Sequence, residues 1–284
     1  MSFKTYHPIV NFIYFCAVIM FSMFFMHPVF LGISFICSLL YSVMLNGGKA
    51  IKFNIIYMLP LMLFAAIINP AFNHDGITIL FYLPSGNPVT LESIAYGIAA
   101  AVMLVSVIMW FSCYNSVVTS DKLMCLFGKI IPALSLIFSM VLRFVPKFKA
   151  QFKVIFNAQR CIGRNTSKIK NIIKIISIMI TWALENSIDT ADSMNSRGYG
   201  LHGRTSFSNY RFDGRDTFAV IYMLALIGAI ITGAYSGFLD VRFFPSVKAA
   251  GLSPFYAAYL LLCLFPVIID ITEEIKWKYL ISKI

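Results

Sequence analysis

The sequence predicts an all-α polytopic membrane protein, with about six spans and one long cytoplasmic insertion built from amphipathic helices. Three observations carry this reading. Hydrophobic residues make up 59% of the chain and charged residues only 12%, whereas soluble domains carry about a quarter charged. Apolar runs recur at lengths that cross a hydrocarbon core, which takes about 20 helical residues. Thirteen of the 23 Lys and Arg fall within residues 143–215, against four acidic residues there, so the positive charge is gathered on one stretch.

The apolar runs are residues 9–26, 29–45, 53–69, 91–113, 217–238 and 254–271. The first has no small-x-small cleavage pattern near its end and reads as a retained span rather than a signal peptide. No Lys or Arg occurs between Phe53 and Ser120, so the loop at 70–90, with His74-Asp75 at its polar turn, is assigned to the outside. Lys49 and Lys52 on one flank, and Lys122 and Lys129 on the other, are assigned to the cytoplasm by the positive-inside rule. Both termini then lie in the cytoplasm, as expected of a multi-pass protein of the cytoplasmic membrane. Arg242 and Lys248 in the external loop 239–253 weaken that bias without reversing it. The organisation expected is an N-terminal membrane domain of about four spans (1–120), a cytoplasmic region (121–216) and a C-terminal membrane hairpin (217–284). The six cysteines are scattered, with no C-x-x-C pair, and read as packing residues.

The region 121–216 is too long for a connecting loop and must be a structure in its own right. Its start, 123–145, is apolar but interrupted by Lys129 and Pro132 and closed by Arg143 and Pro146; a hairpin, a re-entrant segment and an interfacial helix all fit it. Over 147–164 a helical rotation puts Phe148, Phe152, Ile155 and Gln159 on one side and Lys149, Lys153, Phe156 and Arg160 on another, an amphipathic helix with a basic edge. A second pattern over 184–195 aligns Leu184, Ile188, Ala191 and Asn195. Glu185, Asp189, Asp192 and Ser196 form its acidic edge, and Gly198 ends it by supplying the left-handed conformation. Between the two, 169–183 is apolar with Lys170 and Lys174, as in a helix lying against headgroups. Two readings fit these edges. The basic edge binds anionic membrane lipid and the acidic edge is solvated, or both helices are presented to soluble partners with a terminal arginine projecting. Attraction between the edges contributes about 0–1 kcal/mol per exposed pair.

The segments Leu142-Arg143-Phe144-Val145-Pro146, Asn157-Ala158-Gln159-Arg160-Cys161-Ile162-Gly163 and Ala191-Asp192-Ser193-Met194-Asn195-Ser196-Arg197-Gly198-Tyr199-Gly200 together resemble the transmembrane T component of energy-coupling factor transporters. That family includes the membrane subunit of cobalt uptake systems. Asn69-Pro70, Gly86-Asn87-Pro88-Val89-Thr90, Asp121-Lys122, Phe127-Gly128 and Pro132 extend the resemblance across residues 69–201. It implies a membrane scaffold with two coupling helices, each ending in an Ala-Arg-Gly-like triplet whose arginine docks on one of two ABC-type ATPase subunits. A separate membrane-embedded S component would capture a vitamin or metal ion. The second triplet is kept in character as Ser196-Arg197-Gly198. The first reads Cys161-Ile162-Gly163, with isoleucine where the family has arginine and with Arg160 and Arg164 flanking it. The two docking ends are therefore expected to be unequal, as a heterodimeric ATPase pair would allow. A guanidinium suits such a contact because it keeps its charge on burial and offers several donors, and a helix C-terminus favours a cation. Without the surrounding pattern an ordinary C-terminal helix charge would be the plainer reading of Arg197; with it, docking is the reading favoured.

No phosphate-binding loop occurs, since Gly128-Lys129 lacks the earlier glycine and the following hydroxyl residue. The chain is expected to bind no cofactor, ATP being held by the partners, and to be no enzyme itself. The histidines His7, His27, His74 and His202 are dispersed, and no metal site is expected. A stand-alone secondary transporter would carry ionisable groups near the bilayer midplane, whereas Glu92 and Asp270 fall at span ends. A membrane-bound enzyme would show a catalytic cluster. Nucleic acid is not expected as a partner, because inner-leaflet lipid accounts more simply for the basic residues.

Overall fold

The computed structural model describes residues 3–73, 76–82, 88–128, 132–162, 168–199, 201, 210–239, 241–244, 246, 248–249, 251 and 253–282. The chain divides into two compact units, Met1–Lys122 with Tyr210–Ile284, and Leu123–Asn209.

Among its described residues the first unit is largely helical, with two short strand pairs. Its elements begin with a 3-10 turn, Phe3–Thr5, followed by α1 (Pro8–Phe24), α2 (Pro28–Asn46) and α3 (Gly48–Phe53). A π-turn (Asn54–Met58) continues α3 into α4 (Leu59–Phe72), and the hairpin β1 (Ile79–Tyr82) and β2 (Pro88–Thr90) leads to α5 (Leu91–Val117). Prolines open α1 and α2, where a missing N–H costs nothing. The histidine before each proline is the N-cap: His7 and His27 accept from the N–H of Ile9 (3.3 Å) and Val29 (3.2 Å). These two histidines therefore serve as caps. Because His27 and Pro28 already open α2, α1 closes at Phe24 and has only 17 residues. Among the described residues five helical stretches are long and apolar enough to cross a membrane: Pro28–Asn46, Gly48–Phe72, Leu91–Val117, Gly214–Tyr235 and Phe255–Ile281. The first of the six runs expected to span is thus a shorter helix, packed against α5 and α2.

Small and hydroxylated residues let these helices approach. Gly97 of α5 faces Ala66 of α4, and a Cβ there would meet the Ala66 carbonyl oxygen at 2.9 Å. Ser34 of α2 accepts from Trp110 Nε1 (3.0 Å) and donates to Ser22 of α1 (3.1 Å), which pairs with Ser106 of α5 (3.3 Å). Tyr14 donates to the Cys263 carbonyl at 3.1 Å. Such bonds hold helices together in lipid, where apolar burial supplies no driving force between them.

The same unit contains α6 (Ser120–Gly128) up to Lys122, then α9 (Gly214–Tyr235), the two-residue strands β3 (Val241–Arg242) and β4 (Lys248–Ala249), and α10 (Phe255–Ile281). Three charged side chains grip the backbone of the N-terminal turn. Asp270 accepts from Phe3 N (2.6 Å), Asp216 accepts from His7 N (3.2 Å), and Lys122 Nζ donates to the Lys4 carbonyl (2.6 Å). Asn11 completes the grip when its amide is assigned so that the nitrogen donates to Phe3 O (3.2 Å) and the oxygen accepts from Lys122 Nζ (2.6 Å), the orientation that satisfies both neighbours. Burial and the neighbouring Lys4 push the Lys122 amine down to about 8.

Among its described residues the second unit holds the end of α6 from Leu123 and a helix pair, α7 (Pro132–Cys161) and α8 (Lys168–Ser196). Two expectations are corrected here. Pro146 does not close the apolar segment but lies inside α7, which runs on for 30 residues. Proline removes one backbone bond, and packing on either side of it holds the segments in line: Phe144 edges Phe148, which in turn stands edge-on to Trp182 of α8 at 5.4 Å. Likewise 169–183 and 184–195 are one helix, α8, with no break between them.

The burial pattern shows which faces point inward. On α7 the inward stripe is Phe144, Phe148, Gln151, Ile155 and Gln159; Phe152, 47% exposed, falls off it. At 100° per residue Phe152 lies about 60° from the centre of that stripe. On α8 the inward stripe is Asn171, Ile175, Trp182, Asn186, Thr190 and Met194, while Leu184, Ile188, Ala191 and Asn195 are exposed.

Candidate docking surface

The C-terminal end of α8 is built by a backbone device. Gly198 sits at φ +80°, its N–H donates to Asn195 O (3.0 Å), and the Tyr199 N–H donates to Met194 O (3.0 Å). This pair of bonds is the Schellman arrangement, in which the residue before the glycine is the C-cap. That residue is Arg197, exposed at the tip. Ser196 is spent inside the helix, its hydroxyl donating to the Asp192 carbonyl at 2.8 Å.

Arg197 also edges a groove of about 430 Å³ between α7 and α8, whose charged lining is Arg143, Lys147, Asp189 and Arg197. An adjoining hollow of about 280 Å³ is walled by Phe144, Met194 and Tyr199. Three cations thus surround one carboxylate beside an apolar recess, a combination that suits an acidic and aromatic or aliphatic segment of a partner. Lys147 is held within the pair, donating to Asn186 Oδ1 and lying 5.7 Å above the Trp182 ring. Arg143 and Lys147 were not singled out from the sequence as docking groups. Arg143 is 54 positions from Arg197 along the chain, and no local pattern announces so distant a pairing.

The first triplet lies elsewhere. Met140 and Arg143 flank Met194 and Arg197 in the groove, so α7 and α8 run antiparallel, and Ile162 stands at the far end of α7, about 30 Å away at 1.5 Å per residue. Arg160, Cys161 and Ile162 are exposed there, Ile162 by 61%; Gly163 and Arg164 lie outside the described residues. Lys149, Lys153, Glu185, Asp189 and Asp192 are all exposed, and among the described residues no ion pair joins the basic edge to the acidic one. Lys149 and Lys153 are therefore not brought to the Arg197 groove, whereas Asp189 is. His74-Asp75 also falls outside the described residues, and no cluster of metal-ligating side chains occurs among those described.

Residues 4–207 match the family described as Cobalt transport protein, CbiQ. The chain belongs to this family. The match covers α1–α8 and both triplets. Among curated relatives of this CbiQ-family chain are proteins named energy-coupling factor transporter transmembrane protein EcfT. That of Lactobacillus helveticus is 31% identical over 105 residues, which is 34% of this chain and 38% of that protein. That of Lactococcus lactis subsp. cremoris is 31% identical over 100 residues, 33% and 38% of the two chains, and that of Streptococcus thermophilus is 32% identical with the same coverage. The alignment therefore spans under half the length of these relatives.

Proposed function

We propose that this chain is the transmembrane T component of an energy-coupling factor importer, carrying the movement of two cytoplasmic ABC-type ATPase subunits to a membrane-embedded S component that captures a vitamin or metal ion. The observation that carries this reading is the capped, exposed Arg197 beside a groove lined by Arg143, Lys147 and Asp189. An arginine fixed at a helix tip with an apolar recess beside it can enter a partner's cleft as a rigid unit, so that displacement of the partner displaces the helix. The α7/α8 pair is long enough to hold two such contacts about 30 Å apart, one ending in Arg197 and one in exposed Ile162. Their unlike chemistry suits two unlike ATPase subunits. Orientation follows from charge: the termini, Lys49, Lys52 and the arginine-rich pair belong on the cytoplasmic side, where Lys and Arg accumulate. ATP is bound by the partners, and this chain holds no cofactor of its own.

The test is co-purification of this chain with its ATPase subunits. Wild type should recover two, and Arg197→Glu should reduce their recovery at least about tenfold, as expected when a buried charged contact is reversed, with unchanged membrane insertion. Normal recovery and transport in that variant would remove Arg197 from the docking role.

A further inference from the structure

The span Gly48–Phe72 contains a flaw that points to a ligand. Over Asn54–Met58 its hydrogen bonds widen to a π-turn, with the Leu59 N–H donating to Asn54 O. Such single wide turns insert one extra residue and concentrate at functional sites. Here the turn borders a cavity of about 140 Å³ between this span, α2 and α5, walled by Phe35, Leu39, Met58, Met62, Val105 and Met109. Asn54 also lines it, and its Nδ2 is buried with no acceptor among the described residues. One amide donor in an otherwise apolar cavity suits water poorly, since a trapped water takes two to four polar partners. It suits a long apolar chain that carries a single acceptor.

The surroundings name that chain. Ile55 and Leu59 also line the cavity, and with Leu63 beyond them each is half exposed or more, so the cavity opens towards hydrocarbon. Asn54 lies six residues, about 9 Å, into the span from Gly48, the depth at which a membrane lipid has its ester carbonyls. Exposed Lys49 and Lys52 stand at the headgroup end, where each basic residue favours anionic lipid. Methionines at positions 58, 62 and 109 give walls that adapt to a flexible chain.

We propose that this cavity is a binding site for one anionic phospholipid of the leaflet on the Lys49 side, with an acyl chain among the methionines, an ester carbonyl accepting from Asn54 Nδ2 and the phosphate beside Lys49 and Lys52. The site is separate from the α7/α8 surface and does not depend on the transport role. It is tested on the purified full chain in detergent, by native mass spectrometry against equimolar phosphatidylglycerol and phosphatidylcholine with identical chains. One phosphatidylglycerol should be retained preferentially. Asn54→Leu should lower that retention about fivefold to tenfold, the equivalent of one hydrogen bond from a buried donor. The double variant Lys49→Gln/Lys52→Gln should abolish the preference while still binding either lipid. Met62→Phe, which fills the cavity without touching Asn54, should also lower retention and guards against an Asn54 variant that fails to fold. Equal retention of the two lipids by wild type, or undiminished retention in both Asn54→Leu and Met62→Phe, would overturn the proposal.

Discussion

Gly198 and Lys122 show how single residues set the behaviour of the ends they occupy. A side chain at φ +80° is strained whatever the space around it, so Gly198→Ala should destabilise the end of α8 by about 1 kcal/mol. Its nearest contact would be the tip of Leu201 at 3.0 Å, which can move, so the backbone and not a clash decides the outcome. The loss should appear as faster amide hydrogen exchange at Gly198 and Tyr199 and as weaker ATPase recovery with Arg197 still present. Lys122 acts through charge. Two donated bonds, to the Lys4 carbonyl and to Asn11, are what a neutral amine can make, and its amine sits at about 8 against 10.5 for a free lysine. Between those values the unfolded chain binds more protons than the folded one, so stability rises with pH across that window and the penalty of burying the cation is present in full below about pH 8. The melting temperature in detergent should climb by about 2–4 °C between pH 7.5 and 9.5. Lys122→Met should flatten that slope while lowering the melting temperature overall, because the Lys4 and Asn11 oxygens lose their donor. A slope unchanged in the variant would assign the pH dependence to another group.

At the scale of elements, what the sequence made legible depended on whether its signal was local. The spans were legible because a hydrocarbon core imposes one length and one polarity on a contiguous run. The cap at Gly198 was legible because a helix end needs a left-handed residue at one place. The inward face of α8 was not: Leu184 and Ile188 align by rotation and look like a core stripe, yet they are 63% and 64% exposed, because Trp182, with its larger surface, takes the position against Phe148. In a membrane-associated helix an apolar stripe has three possible neighbours (protein, lipid and a partner chain), and periodicity does not choose among them. Pro146 misled for a similar reason, since a proline's cost of about 3 kcal/mol is offset by distant packing that no local window contains. Arg143 entered the site through the antiparallel pairing of α7 with α8, which only the folded pair reveals. The contact of α4 with α5 turns on an equally hidden feature. Gly97 reads as one glycine in an apolar run, yet its missing side chain is what admits the Ala66 carbonyl. Gly97→Leu should separate the two helices and lower the folded yield in detergent, whereas the same substitution at Gly32, with open space around it, should leave yield within error.

For the whole molecule the deciding question is where its charged groups stand. Among the described residues of the spans, Glu92 is bound by the Thr78 hydroxyl and N–H at one end of α5, Asp216 caps α9, Asp270 holds the N-terminal turn, and Glu274 pairs with Lys278 at the end of α10. Each of these is committed to a structural partner, whereas a proton- or ion-coupled carrier needs such groups free near the bilayer midplane. The aromatic centre offers no replacement, for Trp110, Tyr14 and Tyr41 are fully buried against one another and neighbouring helices. The unit that contains the spans is therefore built as a packed body, and Arg143, Arg160 and Arg197 lie in the other unit. This chain alone in liposomes should give no uptake above protein-free vesicles under an imposed proton or sodium gradient. Uptake should require the ATPase subunits, an S component and ATP together, and it should fall with Arg197→Glu in proportion to the ATPase lost from the complex. Gradient-driven uptake by the chain alone would instead assign it to the carriers and would require a polar pathway, for which the Ser22, Ser34 and Ser106 cluster shared by the helices is a candidate.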